Sequence, residues 1–168
     1  TIRRYPGSAK LTAALAERYQ VEPARVLVTA GADDALDRIM RAMLVEGREI
    51  VFPVPSFEMI ERYSRLAGGT IVEVPWPEGA YPRAAVLGAI TERTAVICVV
   101  TPNNPTGTGA VLDDVRAVAE AAPRALVLLD QAYAELADED FTQAALAIPN
   151  VVVTRSMSKA FGLAGLRI

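Results

Sequence analysis

The chain has 168 residues, which is enough for one domain with a substantial core. It contains no histidine. This excludes Ser-His-Asp and Cys-His catalysis and the usual histidine-containing zinc sites, so no metal site is predicted. The net charge is −3 and the acids and bases are interspersed, which argues against a nucleic-acid-binding surface.

No apolar run approaches the roughly 20 residues that span a bilayer. The first residues of the sequence show no apolar region typical of a signal peptide. Cys98 is the single cysteine and lies inside an apolar run, so we expect a buried free thiol rather than a disulfide. Together these features favour a cytoplasmic protein without a membrane partner.

Helical and extended patterns alternate along the chain. A helix is predicted over 8–20, where an apolar stripe follows Ser8, a residue suited to cap it. A strand near 26–30 then leads into a helix over 33–45, and Gly47 suits the end of that helix. The later helices are predicted over 56–67, 82–90 and 113–122, and the later strands near 49–54, 70–74, 95–100, 125–130 and 151–155. This alternation predicts a single α/β domain, a three-layer α/β/α architecture with a mostly parallel sheet.

Five of the predicted strands end in polar, small or reactive residues. In an open α/β sheet, ligands bind outside the carboxyl ends of the strands. We therefore expect five groups of side chains to converge on one site. Between them they supply a helix N-terminus, an aromatic ring, an amide, a carboxylate, a phenol and an amine.

The segment Gly31-Ala-Asp-Asp34 lies between a strand and a helix. Backbone N–H groups at a helix N-terminus bind phosphate well, and glycine lets the backbone approach closely. The alternative is structural, with Asp33 or Asp34 capping the helix.

The segment Thr101-Pro-Asn-Asn-Pro-Thr-Gly107 predicts a rigid turn at a strand end. It is either a tight loop only, or a loop that also presents fixed amide donors to a ligand. Two asparagines flanked by prolines are more than a turn requires, which favours the second interpretation.

Asp130 ends a buried run, so its carboxylate needs a cationic or donor partner. The alternatives are a helix cap or an ordinary ion pair. Tyr133, three residues later, either projects into the same space or packs in the core with its hydroxyl satisfied.

Lys159 follows the last predicted strand and precedes a glycine-rich apolar stretch. A lone lysine is usually solvated, but these surroundings predict a desolvated amine with a lowered pKa and nucleophilic character. Anion binding, a ring, a carboxylate and an amine at one sheet edge are the set that pyridoxal 5′-phosphate (PLP) requires.

The sequence resembles the fold-type I PLP-dependent aminotransferases, and most closely their histidinol-phosphate aminotransferase subgroup. The resemblance runs in the family's order and at similar spacing over nearly the whole chain. Its segments are Arg4-Tyr-Pro6, Gly31-Ala-Asp-Asp34, Pro55-Ser-Phe57, Pro102-Asn-Asn-Pro-Thr-Gly107, Asp130-Gln-Ala-Tyr133 and Ser158-Lys-Ala-Phe-Gly-Leu-Ala-Gly-Leu-Arg167.

The resemblance implies a role for each matching position. Lys159 would bond to the cofactor aldehyde and move the substrate's α-proton, and Asp130 would keep the pyridine nitrogen protonated. Asn104 and Tyr133 would hydrogen-bond the cofactor's O3′. The remaining cofactor-binding residues are Phe57 against the ring, Ala32, Asp33, Ser156 and Arg167 at the phosphate, and Tyr5 at the phosphate of a partner subunit in a homodimer.

Two residues depart from the family pattern without disturbing the implied chemistry: Gln131 stands where glutamate is common, and Phe57 where tyrosine is common. Family members are about twice as long and carry a small C-terminal domain. Residues 1–168 are therefore expected to be the large, PLP-binding domain of a longer protein, incomplete and without that small domain. In the family, a strand that begins near Arg167 is inserted within the sheet.

The expected reaction is transamination between an amino acid and a 2-oxo acid. The amino acid could be histidinol phosphate or an aromatic amino acid, which implies a place in amino-acid biosynthesis, including that of histidine. Two alternatives stay open: a PLP-dependent decarboxylase or lyase, such as a threonine-phosphate decarboxylase, and a PLP-sensing regulatory domain.

Overall fold

A computed structural model describes residues 7–167. Its first part contains α1 (Ala9–Tyr19), α2 (Gly31–Met43), β1 (Glu49–Val54), α3 (Glu58–Leu66), β2 (Thr70–Pro75) and α4 (Arg83–Ala89). Its second part contains β3 (Thr94–Val100), α5 (Leu112–Ala121), β4 (Leu126–Asp130), α6 (Thr142–Leu146) and β5 (Val151–Thr154). Short 3₁₀ turns lie at Pro23–Arg25, Ala134–Leu136 and Ala164–Leu166.

The five strands form one parallel sheet in the order β2-β1-β3-β4-β5. All seven residues of β3 are buried, because helices cover both faces of this central strand. Successive side chains alternate between the faces, so Cys98 packs with Leu36 of α2 and Ile60 of α3, while Val99 packs with Val115 of α5. The predicted three-layer α/β/α fold with a mostly parallel sheet is confirmed.

Most predicted elements are present, and their ends lie within two residues of the predicted ones. Cys98 is fully buried as expected, and burial raises the pKa of its thiol well above the ordinary value. The short helix α6 has no counterpart among the predictions, because its five residues are too few for a periodic apolar stripe. Among residues 7–167, no helix combines the length and the apolarity needed to cross a membrane.

The strand predicted near 26–30 is wrong. Residues 26–29 do not form a strand, and Leu27 is 74% exposed. A groove separates this segment from β5, and both line it, Val26 and Val28 on one side and Val152 and Val153 on the other. A strand requires a hydrogen-bonding neighbour, and within the described part of the chain β5 pairs with β4 alone. Residues 26–30 therefore have the composition of a strand, but they lack a neighbouring strand to pair with among the described residues.

Candidate active site

One cavity of about 230 Å³ lies at the carboxyl ends of the strands. Nine of the ten residues predicted to bind a cofactor line it: Ala32, Asp33, Phe57, Asn104, Asp130, Tyr133, Ser156, Lys159 and Arg167. The tenth, Tyr5, lies outside the described residues. Parallel pairing explains much of the convergence, because β1, β3, β4 and β5 bring the residues at and after their carboxyl ends to the same sheet edge, while Ala32 and Asp33 come from the start of α2.

Asp130 ends β4 and is only 3% exposed. Its Oδ1 accepts hydrogen bonds from Thr154 Oγ1 at 3.0 Å and from the Ala132 N–H at 3.1 Å. Burial raises the pKa of this carboxyl from 3.8 to about 6, and these two hydrogen bonds oppose the rise. At neutral pH Asp130 is therefore an ionised carboxylate at the cavity wall that gains from a cationic ligand.

The two asparagines of the Thr101–Gly107 turn differ in what they contact. Asn103 is buried, and its Nδ2 donates to Pro55 O at 2.9 Å and to Thr106 Oγ1 at 2.8 Å. Its Oδ1 accepts from Ser56 Oγ at 2.6 Å. Asn104 is only partly buried and lines the cavity. Asn103 thus builds the loop, and Asn104 is the amide presented to a ligand.

The start of α2 and Arg167 also line the cavity. Gly31 has φ +78°, and a Cβ added there would lie 2.7 Å from Arg167 Nη2. That nitrogen lies 3.4 Å from Ala30 O and 3.7 Å from Asp33 Oδ2. Helix N–H groups and a guanidinium at one place suit an anion. Neither aspartate caps α2; Asp34 bonds back to the residue before the helix, where its Oδ2 accepts from the Ala30 N–H at 3.0 Å.

Lys159 departs from the expectation of a desolvated amine. The residue is exposed, as is the whole stretch 159–167. Its Nζ lies 5.2 Å from the centroid of the Tyr133 ring, within cation–π range. The apolar composition after Lys159 suggested burial, but in the structure this stretch is surface. The amine still lines the cavity beside Tyr133.

Several residues of this site were not predicted from the sequence. Val100, Ala132, Ser158 and Ala164 also line the cavity. Thr154, the hydrogen-bond donor to Asp130, comes from the neighbouring strand in register with it. Its position at the end of the predicted strand 151–155 was the available signal, since strand-end residues of adjacent strands lie side by side.

The family model "Aminotransferase class I and II" matches residues 2–168. The chain belongs to this family. It is 39% identical to an aromatic amino acid aminotransferase of Mycobacteroides abscessus, over 99% of this chain and 50% of that protein. It is 35% identical to a histidinol-phosphate aminotransferase of Granulibacter bethesdensis, over 100% of this chain and 47% of that protein.

Solved structures show the same likeness. A single mutant of the Thermus thermophilus aspartate aminotransferase superposes with a TM-score of 0.89 at 30% identity, over 98% of this chain and 47% of that chain. The histidinol-phosphate aminotransferase of Sinorhizobium meliloti, in complex with pyridoxal-5′-phosphate, gives 0.88 at 29% identity, over 98% and 46%. The chain spans about half the length of the curated relatives it matches.

Proposed function

We propose that this chain is the PLP-binding large domain of a longer aminotransferase. The observation that carries the proposal is the joint presence, around one cavity, of the buried Asp130 carboxylate, the Lys159 amine and the anion cradle between Gly31 and Arg167. These groups match the three chemical ends of PLP: a basic ring nitrogen, an aldehyde and a phosphate. The residues present therefore fit the cofactor.

Each wall of the cavity has a distinct task in this proposal. Lys159 would hold the cofactor by its aldehyde; once the substrate's amine has replaced it there, the freed Lys159 amine would accept the proton from the substrate's Cα and return it. Asp130 holds a proton on the ring nitrogen, and its ionised state at neutral pH suits that task. When bound, PLP supplies a protonated ring that stabilises negative charge developing at the substrate's Cα.

The other residues bind and orient the cofactor. Asn104 and Tyr133 would hold its O3′ by hydrogen bonds, and Phe57 would pack against its ring. Ser156 is suited to the phosphate because its Oγ already accepts from the Ser158 N–H at 3.1 Å, which leaves the hydroxyl hydrogen to be donated. The N–H groups of Ala32 and Asp33 and the Arg167 guanidinium complete the phosphate site.

The proposed reaction exchanges an amino group between an amino acid and a 2-oxo acid. The names of the relatives support histidinol phosphate or an aromatic amino acid as the amino donor, and a role in amino-acid biosynthesis. We further propose a cytoplasmic homodimer in which Tyr5 reaches the partner subunit's cofactor phosphate. These proposals concern the full-length protein.

The test is a half-reaction assay on the purified full-length protein loaded with PLP. Single amino donors, including histidinol phosphate, phenylalanine, tyrosine and aspartate, are mixed with it in the absence of a 2-oxo acid. An aminotransferase converts its PLP to pyridoxamine phosphate with one donor class, and a 2-oxo acid reverses the change. Carbon dioxide release without that reversal would instead identify a decarboxylase, and no change with any donor would contradict catalysis.

A further inference from the structure

A buried polar cluster adjoins the cavity without lining it. At its centre is Arg155, which directly follows β5 and whose side chain is only 11% exposed. Its Nη2 donates to Glu135 Oε1 at 2.5 Å, and its Nη1 lies 3.2 Å from Asp140 Oδ2 and 2.5 Å from Thr142 Oγ1. Its guanidinium carbon lies 5.5 Å from the centroid of the Tyr19 ring.

The partners of Arg155 belong to one loop. Glu135 lies in the 3₁₀ turn immediately after Tyr133, and Asp140 and Thr142 lie where the loop returns to enter α6. The Thr142 hydroxyl is also 2.6 Å from Oε1 of Gln131, a side chain that is almost fully buried beside Asp130. One guanidinium is thus tied to both ends of the loop that carries Tyr133.

Arg155 is also close in sequence to two residues that line the cavity. The next residue is Ser156, and Lys159 follows three residues later. Because the guanidinium bonds to the loop while its backbone continues into the lysine segment, it fixes these two parts relative to each other. Arginine suits this task, since its planar fork can bond several acceptors at once.

We propose that Arg155 is a positioning residue of the cofactor site, which holds Tyr133 in register with Lys159. The inference rests on the proposed function, because it concerns how these side chains meet PLP. Arg155 does not line the cavity, so it acts through the residues it holds. Without the guanidinium, Glu135 and Asp140 lose their shared cationic partner, and the part of the loop after Tyr133 is held less firmly to the end of β5.

The experiment uses the full-length protein with PLP and follows the pH titration of its visible absorbance band. The midpoint reports the protonation of the nitrogen contributed by Lys159. A hydrogen bond from Tyr133 to O3′ favours the deprotonated form, so misplacing Tyr133 raises the midpoint. For Arg155→Met we expect the midpoint to rise by about half a pH unit or more, which corresponds to the partial loss of one hydrogen bond to a charged group. We also expect roughly tenfold weaker PLP binding, the size of effect seen when residues that support metal ligands are replaced.

The double variant with Tyr133→Phe makes the test specific. If Arg155 acts through Tyr133, the midpoint of the double variant equals that of Tyr133→Phe alone. Arg116→Met is the matched control, because it removes an exposed arginine paired with Asp113 on α5. Its midpoint and PLP affinity should equal those of the wild type.

If Arg155→Met does not fold, Glu135→Gln replaces it in the test. This variant keeps the shape of the Glu135 side chain and removes only the charge that faces Arg155. It should raise the midpoint in the same direction. An unchanged midpoint in every folded variant at this cluster, with only the melting temperature lowered, would overturn the inference and leave Arg155 a structural residue. A wild-type protein without the visible band would instead contradict the proposed function.

Discussion

Asp130 is expected to destabilise the protein whenever the cofactor is absent. Its carboxyl is almost fully buried, and burial raises its pKa to about 6 from an ordinary value of 3.8. A difference of this size corresponds to roughly 3 kcal/mol against folding once the group is ionised. Since the Asp130 carboxyl holds its proton more tightly in the folded form, the contribution of Asp130 to stability is most favourable below pH 4, falls as the pH rises towards 6 and stays unfavourable above it.

Asp130→Asn should remove that cost while keeping the local structure. The asparagine Oδ1 can still accept from Thr154 Oγ1 and from the Ala132 N–H. Urea unfolding of the cofactor-free, full-length variant at pH 7.5 should show a gain of about 2–3 kcal/mol over wild type, and this gain should vanish near pH 4. Asp113→Asn, at an exposed carboxyl, is the control and should change little.

The same substitution should abolish most of the activity. Asparagine carries no charge to hold a proton on the cofactor's ring nitrogen, so the rate should fall by several orders of magnitude while PLP still bonds to Lys159. Asp130→Ala should lose as much rate. A less stable Asp130→Asn at pH 7.5 would refute the burial argument, and near wild-type turnover would remove Asp130 from the mechanism.

Two further comparisons test individual walls of the cavity. Gly31→Ala should weaken PLP binding at least tenfold by equilibrium titration, because its Cβ would lie 2.7 Å from Arg167 Nη2. Gly47→Ala is the control, because it imposes similar backbone strain at φ +83° but its Cβ meets open space. It should lower stability and leave PLP affinity unchanged. Equal affinity losses in the two variants would refute an anion site between Gly31 and Arg167. Asn104→Ala should weaken PLP binding with a small change in melting temperature. Asn103→Ala should chiefly lower the melting temperature, because it removes three hydrogen bonds from the loop; the reverse pattern would exchange their roles.

Much of this architecture can be predicted from the sequence, because the buried strands of a parallel α/β sheet are continuous apolar runs. The run that became β3 is apolar throughout, since both of its faces are covered, and the residues after each strand meet at one edge. That rule alone brings Asp130 and Lys159 to the same cavity.

Other features depend on partners that sequence patterns do not specify. Residues 26–30 have the composition of a strand, but pairing is a property of two segments, and a groove separates this one from β5. The apolar residues that follow Lys159 in sequence led to the expectation of a desolvated amine. In the structure Lys159 is exposed, because burial depends on what packs over a segment and not on its composition alone. The cluster around Arg155 joins residues 20 positions apart through side chains alone, which no periodicity records.

Covalent trapping shows whether Lys159 carries the cofactor. The full-length protein is incubated with PLP, reduced with borohydride, digested and mapped by mass spectrometry. Lys10, the chain's other lysine, lies exposed on α1 and serves as an internal control. We expect a phosphopyridoxyl group on Lys159 and none on Lys10. An adduct on Lys10 in preference to Lys159, or no adduct on either, would contradict this assignment.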